Sequence, residues 1–454
     1  MRPSGVDRDA RPVGSRAGAQ QPSASTGKDE APRQADTFET QTKEGTKVSD
    51  FLIWVGVDWG SEAHQVCAMD GSRKVIFETS VPHSGEAISK LAKRLLKLGS
   101  VETIAVGIET PRGAVVETLL EHGIAVFALN PKQLDRFRDR HTVGGAKDDR
   151  RDAFVLADSL RTDLHAFHRV RIGPAELVEL RELSRTRDEL TAERIAIGHR
   201  LREQLNRYFP QILLLGSVYE SRWLWELLEM APTPAAATKL STSKLRLLLK
   251  RYRIRKVTAD EVRDVLRSEP LHVAPGVVPA CERHVRLLVP RLRLVDDQKA
   301  VVEKEIEALV RSLSAEEGKA EHRDAQLLQS LPGLGTLGCA TMLSEAWEAL
   351  QSRDYHVLRS LCGAAPITKQ SGKTRVVLMR RACNPRLRFT LHHWVGIAVN
   401  RDVFWKARYA TMRAAGKSHN RAVRALGDRL LAVLCAVLKS GVPYDGTRLQ
   451  KQAA

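Results

Sequence analysis

No apolar run in this 454-residue chain approaches the ~18 residues that a membrane-spanning helix needs, and the start of the chain has no hydrophobic signal segment. Residues 1–50 contain no Leu, Ile, Trp or Tyr and are rich in Pro, Gly, Ser, Thr and charge. They have too little apolar area to offset the entropy of ordering, so a disordered tail is expected there. Cysteine is sparse: six residues, at 67, 281, 339, 362, 383 and 435, with no Cys-x-x-Cys pair. That argues against zinc and against a disulfide framework, and it fits a reducing cytoplasm. The expectation is a soluble intracellular protein.

What is abundant is positive charge. Lys and Arg number 72 against 54 Asp and Glu, a formal net charge of +18, and they recur from Arg136 to Arg448 rather than forming one tail. Such a surface favours polyanions and predicts steeply salt-dependent binding, with nucleic acid as the leading partner. An anionic membrane is disfavoured because no basic amphipathic helix stands apart from the core pattern. The length calls for two or three domains.

From Phe51 the pattern becomes strand-like. Runs over Phe51–Val57, Gln65–Met69 and Val75–Val81 are joined by Gly60-Ser61 and Gly71-Ser72, which predicts an antiparallel meander. Ser84 then caps a helix through Leu98, with Ile88, Leu91, Leu95 and Leu98 on one face. A strand over Thr103–Ile108, a helix over Ala114–His122, a strand over Ile124–Leu129 and a helix from Pro131 follow. The order βββαβαβα resembles the RNase H fold. In that fold the first and fourth strands are parallel neighbours, which would set Asp58 and Glu109 at adjacent carboxyl ends, where open α/β sheets bind ligands.

Two further acids, Asp149 and Asp152, lie one helical turn apart in Lys147-Asp-Asp-Arg-Arg-Asp-Ala153 and share a helix face. Each acid alone reads as a surface carboxylate or a helix cap, and Asp148 could replace Asp149 on the inner face. Gathered together, the four would repel by about 4 kcal/mol per close pair at an effective dielectric near 20. A divalent cation turns that repulsion into binding, and oxygen-only ligands suit magnesium or manganese. Metal-assisted phosphoryl chemistry is therefore expected.

Residues 166–325 read as wholly helical. Leu180, Leu183, Arg187, Leu190, Arg194, Ile197 and Leu201 alternate spacings of three and four, as do Leu288, Leu292, Val295, Lys299, Val302, Ile306, Leu309 and Leu313. This predicts a coiled-coil seam, closed within the chain or between two copies. Arg187 and Arg194 in that seam could snorkel, pair with acids, or face a phosphate backbone. Leu331-Pro-Gly333-Leu-Gly335 reads as a helix-hairpin-helix turn whose amides could approach a phosphate, or as a plain packing turn. Ser371-Gly372, flanked by Lys369, Lys373 and Arg375, could hold a phosphate, although a turn serine is the default reading. Activation of that serine would need a base or a metal, with His392, His393 and the acids as candidates.

Five motifs in order make the chain resemble the DEDD transposases of bacterial insertion sequences, the "IS one-ten" group. They are Val57-Asp-Trp-Gly60, Ile108-Glu-Thr-Pro111, Lys147–Ala153 with Leu156-Ala-Asp158, Leu331–Gly335, and Gly363-Ala-Ala-Pro366 with Gln370-Ser-Gly-Lys373. The resemblance spans residues 51–445, with Cys339 standing where the hairpin motif usually has alanine. It implies an α/β plus all-α architecture: a tail over 1–50, an RNase H-like, resolvase-like domain over 51–165, a helical coiled-coil domain over 166–325, a mainly α transposase domain over 326–445 and a tail over 446–454.

The same resemblance implies that Asp58, Glu109, Asp149 and Asp152 bind magnesium. Ser371 would attack a DNA phosphate and form a covalent phosphoserine. A structured bridge RNA would pair with donor and target DNA, and the protein would act in the bacterial cytoplasm, on the nucleoid, as a homodimer or homotetramer. Two alternatives stand beside this one. In the first, a metal-dependent junction resolvase or structure-specific nuclease uses water as nucleophile and Ser371 is structural. In the second, a basic nucleic-acid-binding protein carries a decayed site.

Overall fold

The computed structural model describes residues 51–129, 131–139, 148–315, 320–372 and 374–446. The tail expected over 1–50, most of the one expected after 445, and Lys373 fall outside these. The chain divides into two compact units, one ending at Arg169 and the other beginning at Val170.

The first unit is built on six strands: β1 (Ile53–Asp58), β2 (Ala63–Asp70), β3 (Val75–Pro82), β4 (Ile104–Ile108), β5 (Ala125–Ala128) and β6 (His168–Arg169). Its helices are α1 (Gly85–Leu96), α2 (Ala114–Glu121), α3 (Pro131–Asp139) and α4 (Asp149–Thr162). The sheet order is β3-β2-β1-β4-β5-β6. The first three strands form an antiparallel meander, β1, β4 and β5 run parallel, and β6 returns antiparallel to β5. Central β1 and β4 are almost wholly buried, whereas β3 at the edge is largely exposed. That is the burial expected of parallel strands covered on both faces. Ser84 caps α1 by accepting a hydrogen bond from the Ala87 amide at 3.3 Å.

Strand β6 corrects one expectation, because it lies inside the stretch read as wholly helical. Pro174, just before the next helix, disfavours helical backbone in the residue ahead of it, and the edge of β5 offers unpaired amides and carbonyls to extended chain.

Helix α4 lies against β1, β2 and β4. Its Ala153, Leu156, Ala157 and Leu160 are buried with Trp54, Cys67, Met69 and Phe127. The approach is close because β1 carries Gly56: a Cβ there would stand 1.9 Å from the Ala153 carbonyl oxygen and 2.6 Å from the Ala157 amide nitrogen. No side chain fits that space, so the helix backbone rests directly on the strand.

Among the described residues, the regular structure of the second unit is helical apart from one hairpin. Its helices are α5 (Ala175–Tyr208), α6 (Arg222–Met230), α7 (Pro234–Ala237), α8 (Thr242–Arg251), α9 (Ala259–Arg267), α10 (Val277–Ala315), α11 (Ala320–Gln329), α12 (Thr336–Glu345), α13 (Trp347–Ser352) and α14 (Tyr355–Leu361). The hairpin of β7 (Ile367–Ser371) and β8 (Thr374–Leu378) follows, then α15 (Pro385–Arg401), α16 (Val403–Ala414) and α17 (His419–Ser440). The long helices α5 and α10 pair antiparallel within the chain: Arg187 meets Glu303 at 2.9 Å and Arg194 meets Asp296 at 3.1 Å, the partners descending as the arginines ascend. The seam read from the three-four spacing is thus closed intramolecularly. One end of this pair joins a core with Trp223, Trp225, Leu245 and Val262, and the other joins a core with Met342, Trp394, Leu426 and Leu430.

Candidate active site

In the first unit, β1 ends at Asp58 and β4 at Ile108. Val57 stands opposite Ile108 in the parallel register, so the next residues, Asp58 and Glu109, leave neighbouring strands side by side. Helix α4 brings the other two acids. Asp148 is its cap, accepting from the Arg150 amide at 3.2 Å, so it does not take the place of Asp149. Asp149 and Asp152 stand in the first turn, where the helix dipole favours negative charge. Asp149 is exposed, Asp58 and Glu109 are half-buried, and Asp152 is only 2% exposed.

The electrostatics tie the four together. The Asp58 carboxyl is pushed up from 3.8 to about 6, first by burial and then by the charges of Asp152, Asp149 and Glu109, with Arg138 pulling it back. Burial and like charges act in the same direction, both opposing ionisation. Among the described residues, Arg138 on α3 is the cation drawn in. Its Nε and Nη2 donate to the two oxygens of Asp152, each at 2.6 Å, while Nη1 donates to Asp135 at 2.7 Å. A bidentate guanidinium of this kind is among the strongest ways to hold a buried carboxylate. Asp158, also buried, anchors the far end of α4 through Arg161 at 2.7 Å and Arg73 at 3.2 Å.

Among the described residues, no three Asp, Glu, His or Cys side chains stand close enough together to share one ion. The donor set nevertheless fits a hard divalent cation in kind. It offers four carboxylates, all oxygen, against one arginine among the described residues, and burial and like charges oppose the ionisation of Asp58, which a cation would relieve. Sequence reasoning missed Arg138 and Gly56. Arg138 reads there as one basic residue among 72, and Gly56 as an ordinary strand glycine.

In the second unit Ser371 is the last residue of β7, opposite Thr374 across a turn in which Gly372 has φ +54°. Its side chain is exposed, and its hydroxyl makes no hydrogen bond among the described residues. Pairing places Lys369 and Val376 on its face of the hairpin and Arg375, opposite Gln370, on the other. His392 and His393 are exposed on α15.

The Gly333–Gly335 turn separates into two roles. Gly333, at φ +80°, packs against α15: a Cβ there would meet the Ala398 amide nitrogen at 2.6 Å, and the Trp394 indole donates to the Pro332 carbonyl at 2.8 Å. Gly335 is exposed at the start of α12, with open space around it. Burial pushes the Cys339 thiol up to about 12, so the departure from alanine adds no nucleophile. Arg187 and Arg194 are engaged by acids, the second of the three possibilities open to them.

Residues 55–210 match the DEDD transposase family model, described as "Transposase", and residues 325–410 match the model described as "Transposase IS116/IS110/IS902 family". The chain is 46% identical over 209 residues to the "Putative transposase y4uE" of Sinorhizobium fredii, covering 45% of this chain and 58% of that protein. It is 32% identical to the "Mini-circle putative transposase for IS117" of Streptomyces coelicolor, over 87% of this chain and 96% of that one. Likeness to the "Transposase for insertion sequence element IS1111A" of Coxiella burnetii is 23% over 86% of this chain and 90% of that one. No helix among the described residues is long and apolar enough to cross a membrane. With the paired strand-end acids, the helix bearing two more, and likeness along nearly its whole length to a relative from an insertion element, the chain belongs to the IS116/IS110/IS902 family of transposases.

Proposed function

We propose that this transposase cleaves and exchanges DNA strands by metal-dependent phosphoryl transfer in an RNase H-like site formed by Asp58, Glu109, Asp149 and Asp152. The observation that carries the reading is the parallel register that sets Asp58 and Glu109 side by side, with Asp149 and Asp152 in the first turn of the helix packed on those strands; the upward push on Asp58 agrees with it. Magnesium or manganese bound there would neutralise the scissile phosphate and lower the pKa of an attacking hydroxyl. The chain's own residues set the stage for it. Asp58 and Glu109 present oxygens from a rigid sheet edge, Asp152 is aimed by Arg138, and Asp58 must release its proton before it can ligate.

Ser371 is the proposed nucleophile. Its exposed hydroxyl at the hairpin turn, with Lys369 on the same face, suits an approach to a phosphate backbone. Attack would form a phosphoserine and release a strand end, and attack by a second strand end would restore the phosphodiester without ATP. A structured guide RNA that pairs with donor and target DNA completes the proposal, in keeping with a net charge of +18 that favours polyanions. Action as a dimer or tetramer is part of the same reading.

The decisive experiment incubates protein, RNA and DNA with magnesium and looks for a protein–DNA adduct. The adduct is expected with the native chain and absent in Ser371→Ala, while Asp152→Asn abolishes strand breakage and keeps RNA binding. Unchanged cleavage by Ser371→Ala would favour the second reading, a nuclease using water. One observation speaks for that reading: Ser371 has no activating partner among the described residues.

A further inference from the structure

At the root of the β7–β8 hairpin, away from Ser371 at its turn, the second unit contains an open cleft of about 550 Å³. Arg359, Arg380, Arg421 and Arg424 line it, and Asp428 is the single acid among the described lining residues. That acid is already neutralised: Arg359 donates to both its oxygens at 3.0 and 2.8 Å, and the Tyr355 hydroxyl donates to it at 2.7 Å. Arg380, Arg421 and Arg424 have no acidic partner among the described residues, and the Arg380 Nε is buried without a hydrogen bond. Three uncompensated guanidinium groups around one hollow call for an anion with several oxygens, since each presents a planar fork that matches a phosphate.

The remaining wall is apolar. Val377 and Met379 are 62% and 46% exposed, and with Pro366 they face the same hollow. A free phosphate has no use for such a wall, whereas an unstacked base does. In a duplex the base faces are covered by their neighbours, and only a single strand offers them together with phosphates. The volume is that of a site enclosing a ligand of nucleotide size.

We infer that this cleft binds a nucleotide of single-stranded nucleic acid, with the base against Pro366, Val377 and Met379 and the flanking phosphates on Arg421 and Arg424. The inference depends neither on the acids of the first unit nor on the chemistry of Ser371.

The test measures binding of the full-length chain to fluorescent oligo-dT, oligo-U and duplex DNA in EDTA, where no strand is broken. In Arg421→Ala/Arg424→Ala, affinity for a single strand should fall at least tenfold, as expected when charge-assisted hydrogen bonds are removed. The slope of log affinity against log salt should shrink by about 1.4, roughly 0.7 for each phosphate no longer neutralised. Ala425→Trp, which fills the hollow and keeps every charge, should weaken single strands and spare the duplex. Weakening confined to oligo-dT assigns the cleft to a DNA strand, weakening confined to oligo-U assigns it to RNA, and weakening of both supports the shared chemistry. Unchanged single-strand affinity and slope in the double variant, in protein whose melting temperature is unaltered, would overturn the inference. So would an equal fall for the duplex, which would make the cleft part of a general basic surface.

Discussion

The acids of the first unit and the serine of the second are held in opposite ways. Asp58 and Glu109 emerge from two buried parallel strands, and Asp152 is fixed by a helix seated on Gly56 and by two hydrogen bonds from Arg138. Ser371 ends a two-stranded ribbon whose residues are nearly all exposed. Charge is concentrated where the scaffold is rigid enough to resist its repulsion, and the hydroxyl stands where another molecule can reach it. A cluster of carboxylates needs a frame, whereas a single neutral hydroxyl needs only access.

The sharpest way to break the first half of that comparison is Gly56→Ala. The added methyl has no free space beside the Ala153 carbonyl, so α4 must lift from β1. A drop of about 3 kcal/mol or more in unfolding free energy is expected, at or above the usual range for overpacking, and strand cleavage should vanish with it. Arg138→Ala comes next. It leaves the buried Asp152 carboxylate without its cation, at a cost of about 3 kcal/mol in EDTA melts. Magnesium should recover part of that deficit, and a deficit indifferent to magnesium would count against the metal reading.

Asp58→Asn gives a smaller effect with a definite sign. Because the folded carboxyl titrates near 6 rather than 3.8, the native fold prefers its protonated form. Asp58 therefore contributes a loss of stability to the metal-free protein as pH rises from about 4 to about 6, and the variant should lack that contribution and melt higher above the window. Ser371→Ala is the smallest of the set. Its exposed hydroxyl has no partner among the described residues, so stability should stay within about 0.5 kcal/mol while the adduct disappears. A large drop in melting temperature for this variant would erase the contrast.

Asp58 and Glu109 are legible in the sequence because each closes an apolar run, a position with little structural use for a carboxylate. Asp149 and Asp152 are legible from their helical spacing, though the choice between Asp148 and Asp149 needs the observed cap. Arg138 is not, because its value comes from where α3 lies beside α4 and not from any local pattern. The rhythm of the α5–α10 seam can be read, but the acids that meet Arg187 and Arg194 are 116 and 102 residues further along the chain. Ser371 as a nucleophile rests on resemblance alone, since an exposed serine before a glycine leaves no local mark. Strand β6 is hidden because two residues are too few to show a period.

The paired helices α5 and α10 belong to both hydrophobic cores of the second unit. At 1.5 Å per residue, the 34 residues of α5 make a strut about 51 Å long. A tilt of one degree at one core would carry the far end by about 1 Å, so the two cores share a lever and neither can turn without the other registering it.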